Sequence, residues 1–181
     1  MLGLGSGIHL AQRPGLRLLY TYTSDFTSDA DGWAALSVQG TLTIQANQTI
    51  DSTGGWLKCS YDTNQTDTLS GIIRDSDGYS GDRQAGDVFT VTYKIYLQNV
   101  SGEDWGGADD VWTIFKAGEV GNDGLQHAQD TTVTAAESDF SIPQTDGWGS
   151  TLQLYFSASG DKPSADAVFY VKDIIVKYYR P

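Results

Sequence analysis

Cysteine is nearly absent from this chain of 181 residues, where Cys59 stands alone. No intrachain disulfide can form, and no Cys/His cluster exists to hold zinc. Histidine is almost as rare, with only His9 and His127. Neither lies where it would set a nucleophile beside an oriented base, so a Ser-His-Asp hydrolase is not indicated. Basic residues are few, 11 Lys and Arg against 23 Asp and Glu, for a formal charge of −12. Long-range repulsion therefore disfavours nucleic acid and anionic membrane as partners. No apolar run approaches a membrane span. The opening residues lack the basic start and sustained apolar core of a secretory signal, so none is expected. No glycine-rich phosphate loop falls between a strand and a helix.

Glycine and aromatic residues are plentiful, with 21 Gly and 12% Phe, Trp and Tyr. With turn clusters between them, they indicate an all-β domain with tight connections. The length suits one domain plus a tail and can bury a core without staples. Strand patterns fall at 34–38, 41–46, 55–61, 71–74, 88–99, 111–117, 131–142, 151–159 and 168–179. Asp-Gly and Gly-Gly turns punctuate them, at Asp31-Gly32, Gly54-Gly55, Asp77-Gly78 and Asp146-Gly147 among others. In the 88–99 run, Phe89, Val91, Tyr93, Ile95 and Leu97 share one face, while Thr90, Thr92, Lys94 and Tyr96 share the other. The 151–159 run turns Leu152, Leu154 and Phe156 one way and Gln153 and Tyr155 the other. Strands with one apolar and one polar, aromatic-bearing face suit a sandwich open to solvent on its outer sides. Cys59 alternates with Leu57 and Tyr61 and reads as a buried, inert thiol. The expected fold is an all-β jelly-roll sandwich of about nine strands over 20–181.

Residues 1–19 differ in character. Glycines alternate with leucine and isoleucine there, and no strand or helix period is present. The segment reads as an extended N-terminal arm, with Leu2, Leu4, Ile8 and Leu10 as docking side chains for a partner or a neighbouring copy. Its Gly-Leu-Gly start resembles those of small tailed-phage structural proteins.

Two further segments carry a family resemblance. The opening run Tyr22-Thr-Ser-Asp-Phe-Thr-Ser-Asp-Ala-Asp-Gly-Trp33 places a Phe-bearing strand, an acidic loop and a Gly-Trp pair in succession. The closing run Val168-Phe-Tyr-Val-Lys-Asp-Ile-Ile-Val-Lys-Tyr-Tyr179 is aromatic-rich, with an acid before its apolar end. Both resemble the first and last strands of carbohydrate-binding-module-like jelly rolls. The resemblance implies a structural calcium tying first strand to last. Asp173 matches the acid of the last strand, Asp25 is the nearest acid in the first, and carbonyls near 52–55 complete the shell. The acid such jelly rolls place directly after the Phe is Thr27 here. A second acidic loop at 75–82 is a weaker cation candidate, lacking EF-hand spacing.

Sugar recognition needs aromatic faces beside polar groups. The candidates are Tyr96, Trp105, Trp148, Gln153 and Tyr155; Trp105 and Trp148 are alternatively caps on the sandwich ends, while Trp33 and Trp56 read as core. No catalytic constellation is evident, because the acids sit mostly in turn clusters where Asp serves turn geometry. The sequence therefore indicates a non-enzymatic protein. The expected role is that of a virion structural protein of a tailed phage, a capsid decoration protein on the virion exterior, docked through its arm on capsid or tail proteins. It would self-associate, a trimer being one form, and would have the capacity to bind a surface glycan. The alternatives are a tail-fibre component and a stand-alone carbohydrate-binding module.

Overall fold

A computed structural model of the chain describes residues 15–36, 38–50, 52–66, 70–98, 105, 110–117, 120–121, 125–128, 132–141, 150–156 and 163–181. The side chains of 110–112 and of the strands between 120 and 141 are not described. Two antiparallel sheets face each other. The first, sheet A, contains β1 (Arg17–Ser24), β3 (Leu42–Ile50), β4 (Thr53–Tyr61), β6 (Val88–Gln98), β10 (Thr132–Ser141) and β12 (Val168–Arg180). Its order is β10-β6-β12-β4-β3, with β1 also paired to β12. Sheet B contains β2 (Trp33–Leu36), β5 (Ser70–Arg74), β7 (Asp110–Ala117), β8 (Val120–Gly121), β9 (Leu125–Ala128) and β11 (Leu152–Phe156). Its order is β2-β5-β11-β7-β8, with β9 also on β7. The expected all-β, jelly-roll-like sandwich is the observed architecture.

The alternation read from sequence decides what lies between the sheets. Phe89, Val91, Tyr93, Ile95 and Leu97 of β6 meet Leu57 and Cys59 of β4 and Phe169, Val171, Ile174 and Val176 of β12. From sheet B come Ile72, Phe115, Leu152, Leu154 and Phe156. The Cys59 thiol is fully enclosed, and burial pushes its pKa well up, as a buried inert sulfur requires.

β12 is the spine of sheet A. One edge pairs with β6 along its length; the other pairs with β4 through residues 168–171 and with β1 from Ile174 onward. A bulge between Lys172 and Ile175 inserts Asp173, whose φ is +52°. The extra residue shifts the phase, so Phe169 and Val171 face inward before it and Ile174, Val176 and Tyr178 after it. β1 begins at Arg17, opposite Arg180, three residues inside the segment read as the arm. Leu2, Leu4, Ile8 and Leu10 lie outside the described residues.

The Tyr22–Trp33 run joins the two sheets at one end. Trp33 Nε1 donates to Tyr22 Oη at 3.0 Å, and Arg74 Nε of β5 donates to the same oxygen at 2.9 Å. Burial pushes the Tyr22 hydroxyl up to about 12. The Asp31 carboxylate accepts from Tyr22 and from the buried Ser24 hydroxyl. The motif that stands out in sequence thus works as a cross-sheet clasp.

Candidate functional site

The outer face of sheet A holds a second apolar cluster, separate from the core. It consists of Trp56, Val168 and Tyr170, with Ile50 and Tyr96 packed against them. Alternation explains it, because the residues between the core positions of β4, β6 and β12 must point outward. Strand pairing then sets them in rows. Tyr96, Tyr170 and Lys58 lie side by side across three strands, with Gln45 of β3 continuing the row. In the next row Lys94 lies opposite Lys172. Lys172 in turn neighbours Trp56, since Val171 pairs with Leu57. Tyr96 and Tyr170 meet edge to face at 5.9 Å, and Tyr170 Oη donates to Gln98 Oε1 at 3.3 Å. Trp56 is anchored by its Nε1 on Thr53 Oγ1 at 3.0 Å, with Lys172 Nζ 6.0 Å from its ring centre.

Exposure separates the roles of the three rings. Trp56 at 2% and Tyr170 at 9% form a floor, whereas Tyr96 is only part-buried and offers ring surface. Lys172 reaches over the Trp56 ring to the Gly54 carbonyl, and Lys94 is held by Asp173. Aromatic surface walled by amides and amines is what a sugar ring needs: stacking for its C–H face and hydrogen bonds for its hydroxyls.

The other expected sugar contacts lie elsewhere. Gln153 and Tyr155 face outward on β11 of sheet B, on the opposite side of the molecule from Tyr96, so the two tyrosines do not share a surface. Tyr155 is itself 4% exposed, with Lys116 Nζ 5.8 Å from its ring centre. Trp105 is fully buried: its ring lies 4.7 Å from Phe156 and its Nε1 donates to the Gln98 carbonyl at 3.1 Å. It is core, because an indole at the end of β6 covers the gap between the sheets and satisfies its one donor there. Trp148 lies outside the described residues. The sequence reading missed Tyr170; Trp56 is buried as expected, in the second apolar cluster on the outer face.

The calcium ligands implied by the resemblance have other partners. Asp173 Oδ2 accepts from Lys94 Nζ at 2.8 Å. Lys172 Nζ donates to the Gly54 carbonyl, in the loop expected to supply carbonyl ligands. Asp25 is fully exposed and is held below the usual carboxylate range first by the Thr27 amide, then by the Thr27 hydroxyl, with Lys172 adding a smaller effect. A Cβ at Gly55 would sit 2.8 Å from the Asp25 carbonyl oxygen, so the first strand and this loop are in close approach. Lys94 Nζ thus holds one Asp173 oxygen, Lys172 Nζ the Gly54 carbonyl and Thr27 the Asp25 carboxylate, so a calcium ion bound there would have to displace both ammonium groups. No group of three ligating side chains occurs among the described residues.

The second acidic loop turns inward. Asp77 is buried and accepts two bonds from Arg83 Nη2, at 2.7 and 2.8 Å, and one from Tyr178 Oη. A further acidic depression of about 290 Å³ is lined by Thr23, Asp25, Phe26, Ser28, Asp29 and Asp31. Its carboxylates bond to the loop and clasp themselves, Asp29 to the Asp31 amide and Asp25 to Thr27.

These observations define the class: an all-β sandwich whose outer sheet face carries a small aromatic floor among polar side chains. No known family matches the sequence, and no curated protein matches it either. Solved structures do match the fold. The C-terminal family 22 carbohydrate-binding module of Clostridium thermocellum Xyn10B superposes with a TM-score of 0.55 at 13% identity, covering 86% of this chain and 90% of that one. The CBM22-1 xylan-binding domain of Paenibacillus barcinonensis Xyn10C gives 0.53 at 17% identity, covering 91% and 96%. A MgGH51 α-L-arabinofuranosidase gives 0.53 at 8% identity, covering 81% of this chain and 23% of that one. The chain therefore has the fold of family 22 carbohydrate-binding modules.

Proposed function

We propose that this protein is a non-catalytic glycan-binding module that holds a polysaccharide on the outer face of sheet A. The carrying observation is the pair of rows in which Tyr96, Tyr170 and Trp56 lie among Gln45, Lys58, Lys94 and Lys172. The xylan-binding domain among the structures of the same fold supports the reading by showing that this fold is used for such binding. Titration calorimetry against soluble xylan, β-glucan and galacturonan tests it. Binding to at least one is expected, with Tyr96→Ala weakening it about tenfold, the loss of one stacking contact, while the melting temperature stays unchanged. No binding to any of the three, or binding indifferent to Tyr96→Ala, overturns the proposal.

The location on a virion exterior rests on the Gly-Leu-Gly start of the arm. In that reading the arm docks on capsid or tail proteins and the sheet face points outward to a surface glycan. Residues 1–14 precede β1, so deleting them removes no described strand. Quantitative mass spectrometry of purified particles decides whether the chain is a virion component at all.

A further inference from the structure

The chain has six lysines, Lys58, Lys94, Lys116, Lys162, Lys172 and Lys177. Four of them, all but Lys116 and Lys162, occupy outward positions of sheet A on β4, β6 and β12. Acids are depleted there: β1, β3, β4, β6 and β12 together carry a single one, Asp173. Only β10, at the far edge, adds Glu137 and Asp139. In a chain with twice as many acids as bases, this one surface has the opposite sign.

The placement of the lysines is also costly without a ligand. Lys94 and Lys172 are direct cross-strand partners, an arrangement in which like charges repel. Lys58 sits diagonally from Lys172, about 7–8 Å away by sheet geometry. Asp173 relieves Lys94, while Lys172 gives one bond to the Gly54 carbonyl and is attracted by Asp25, which leaves Lys58 uncompensated. Lys58 has no hydrogen-bond or ion-pair partner among the described residues. The Tyr170 ring lies between Lys58 and Tyr96, so an anion bound to Lys58 and Lys172 would belong to a sugar seated on the aromatic floor.

We infer that the glycan is a carboxylate-bearing polysaccharide, a chain of uronic acid residues whose carboxylates are taken by Lys58 and Lys172 while a sugar ring stacks on Tyr96. This rests on the glycan-binding reading and names its ligand class. Charge complementarity carries it: this face is locally basic on an otherwise acidic molecule.

The test uses one backbone in two charge states, polygalacturonate and its fully methyl-esterified form, with the full-length protein in EDTA at low salt. The de-esterified polymer is expected to bind at least about fivefold tighter, what two partly exposed charge pairs contribute together. The preference should shrink in 0.5 M NaCl, because exposed pairs are screened. Lys58→Gln should remove much of the preference, weakening binding of the de-esterified polymer more than that of the esterified one. Equal binding of both polymers overturns the anionic inference and leaves glycan binding standing. Binding of neither, together with silence towards xylan and β-glucan, overturns the underlying reading as well. A concentration-dependent dimer dissolved by Lys58→Glu would assign the face to a second copy and overturn the inference by another route.

Discussion

Replacing Asp77 by alanine should be among the most damaging changes to this protein outside its apolar core. The carboxylate side chain is 0% exposed and that of its partner Arg83 is 17% exposed. Besides Arg83, the Asp77 carboxylate takes the Tyr178 hydroxyl and, at 2.9 Å, the Tyr79 amide. Tyr79 and Tyr178 stack at 5.7 Å with 11° between their planes, and the Arg83 guanidinium lies 5.0 Å from the Tyr79 ring centre. The substitution deletes the carboxylate that holds Arg83 among the described residues and removes an acceptor from the buried Tyr178 hydroxyl. Removing one partner of a buried pair costs about 3–5 kcal/mol, because the other charge stays desolvated. For a chain of this size each kcal/mol moves the melting temperature by about 2–4 °C, so a drop of roughly 10 °C is expected. Scanning calorimetry of Asp77→Ala, Arg83→Met and the double variant checks this. The double variant should recover about 2 kcal/mol relative to the sum of the singles, since removing both charges is far cheaper than removing one. A loss below about 1 kcal/mol in Asp77→Ala, or strict additivity in the cycle, would refute the argument by showing that water reaches the pair.

Two further outcomes follow from the charged contacts. Asp87 accepts from Arg180 Nε at 2.7 Å, Arg180 Nη2 at 2.8 Å and the Gln84 amide at 2.9 Å. Burial alone would raise its pKa, and these bonds outweigh burial and hold it below the usual carboxylate value. The folded pKa thus lies below the unfolded one. The resulting stability is complete above about pH 4 and is lost as pH falls through the folded value. Asp87→Asn should flatten the acid limb of a melting-temperature profile below about pH 4, and an unchanged limb would remove Asp87 as a contributor. Excess EGTA should leave the melting temperature within about 1 °C by ligand linkage, because the Lys94 and Lys172 ammonium groups already engage these oxygens. A fall of several degrees would mean that calcium displaces the Lys172 and Lys94 ammonium groups after all.

Much of the fold was legible because alternation is a local signal. The β6 and β11 faces follow directly from their residue order, and Cys59 lies where its neighbours Leu57 and Tyr61 place it. Irregularities were harder to see. β3 runs on to Ile50, through register shifts at Gln45/Gln48 and Gln48/Ile50 that break the period of two. β1 starts within a Gly-, Pro- and Arg-rich stretch whose residues show no pattern, and only its pairing with the last residues of β12 makes it a strand. The short β8 and β9 carry too few residues to show any period.

For the candidate site, the sequence by itself determined the outward direction of Tyr96 and the scarcity of basic residues. The Asp-rich loop at 75–82 looks solvent-facing in sequence, yet contact with Tyr178 turns Asp77 inward, and of the two readings of Trp105 the contact with Phe156 selects the cap. Only the tertiary structure decided that Trp56, Tyr96 and Tyr170 share one surface with Lys58, Lys94 and Lys172. The reason is physical: a side chain's face is set by the period of its own strand, whereas its neighbours are set by which strands pair. Residues more than thirty positions apart become adjacent only when β4, β12 and β6 align in register. The same pairing separates Tyr96 from Tyr155, two outward tyrosines of similar strands, onto opposite sides of the sandwich.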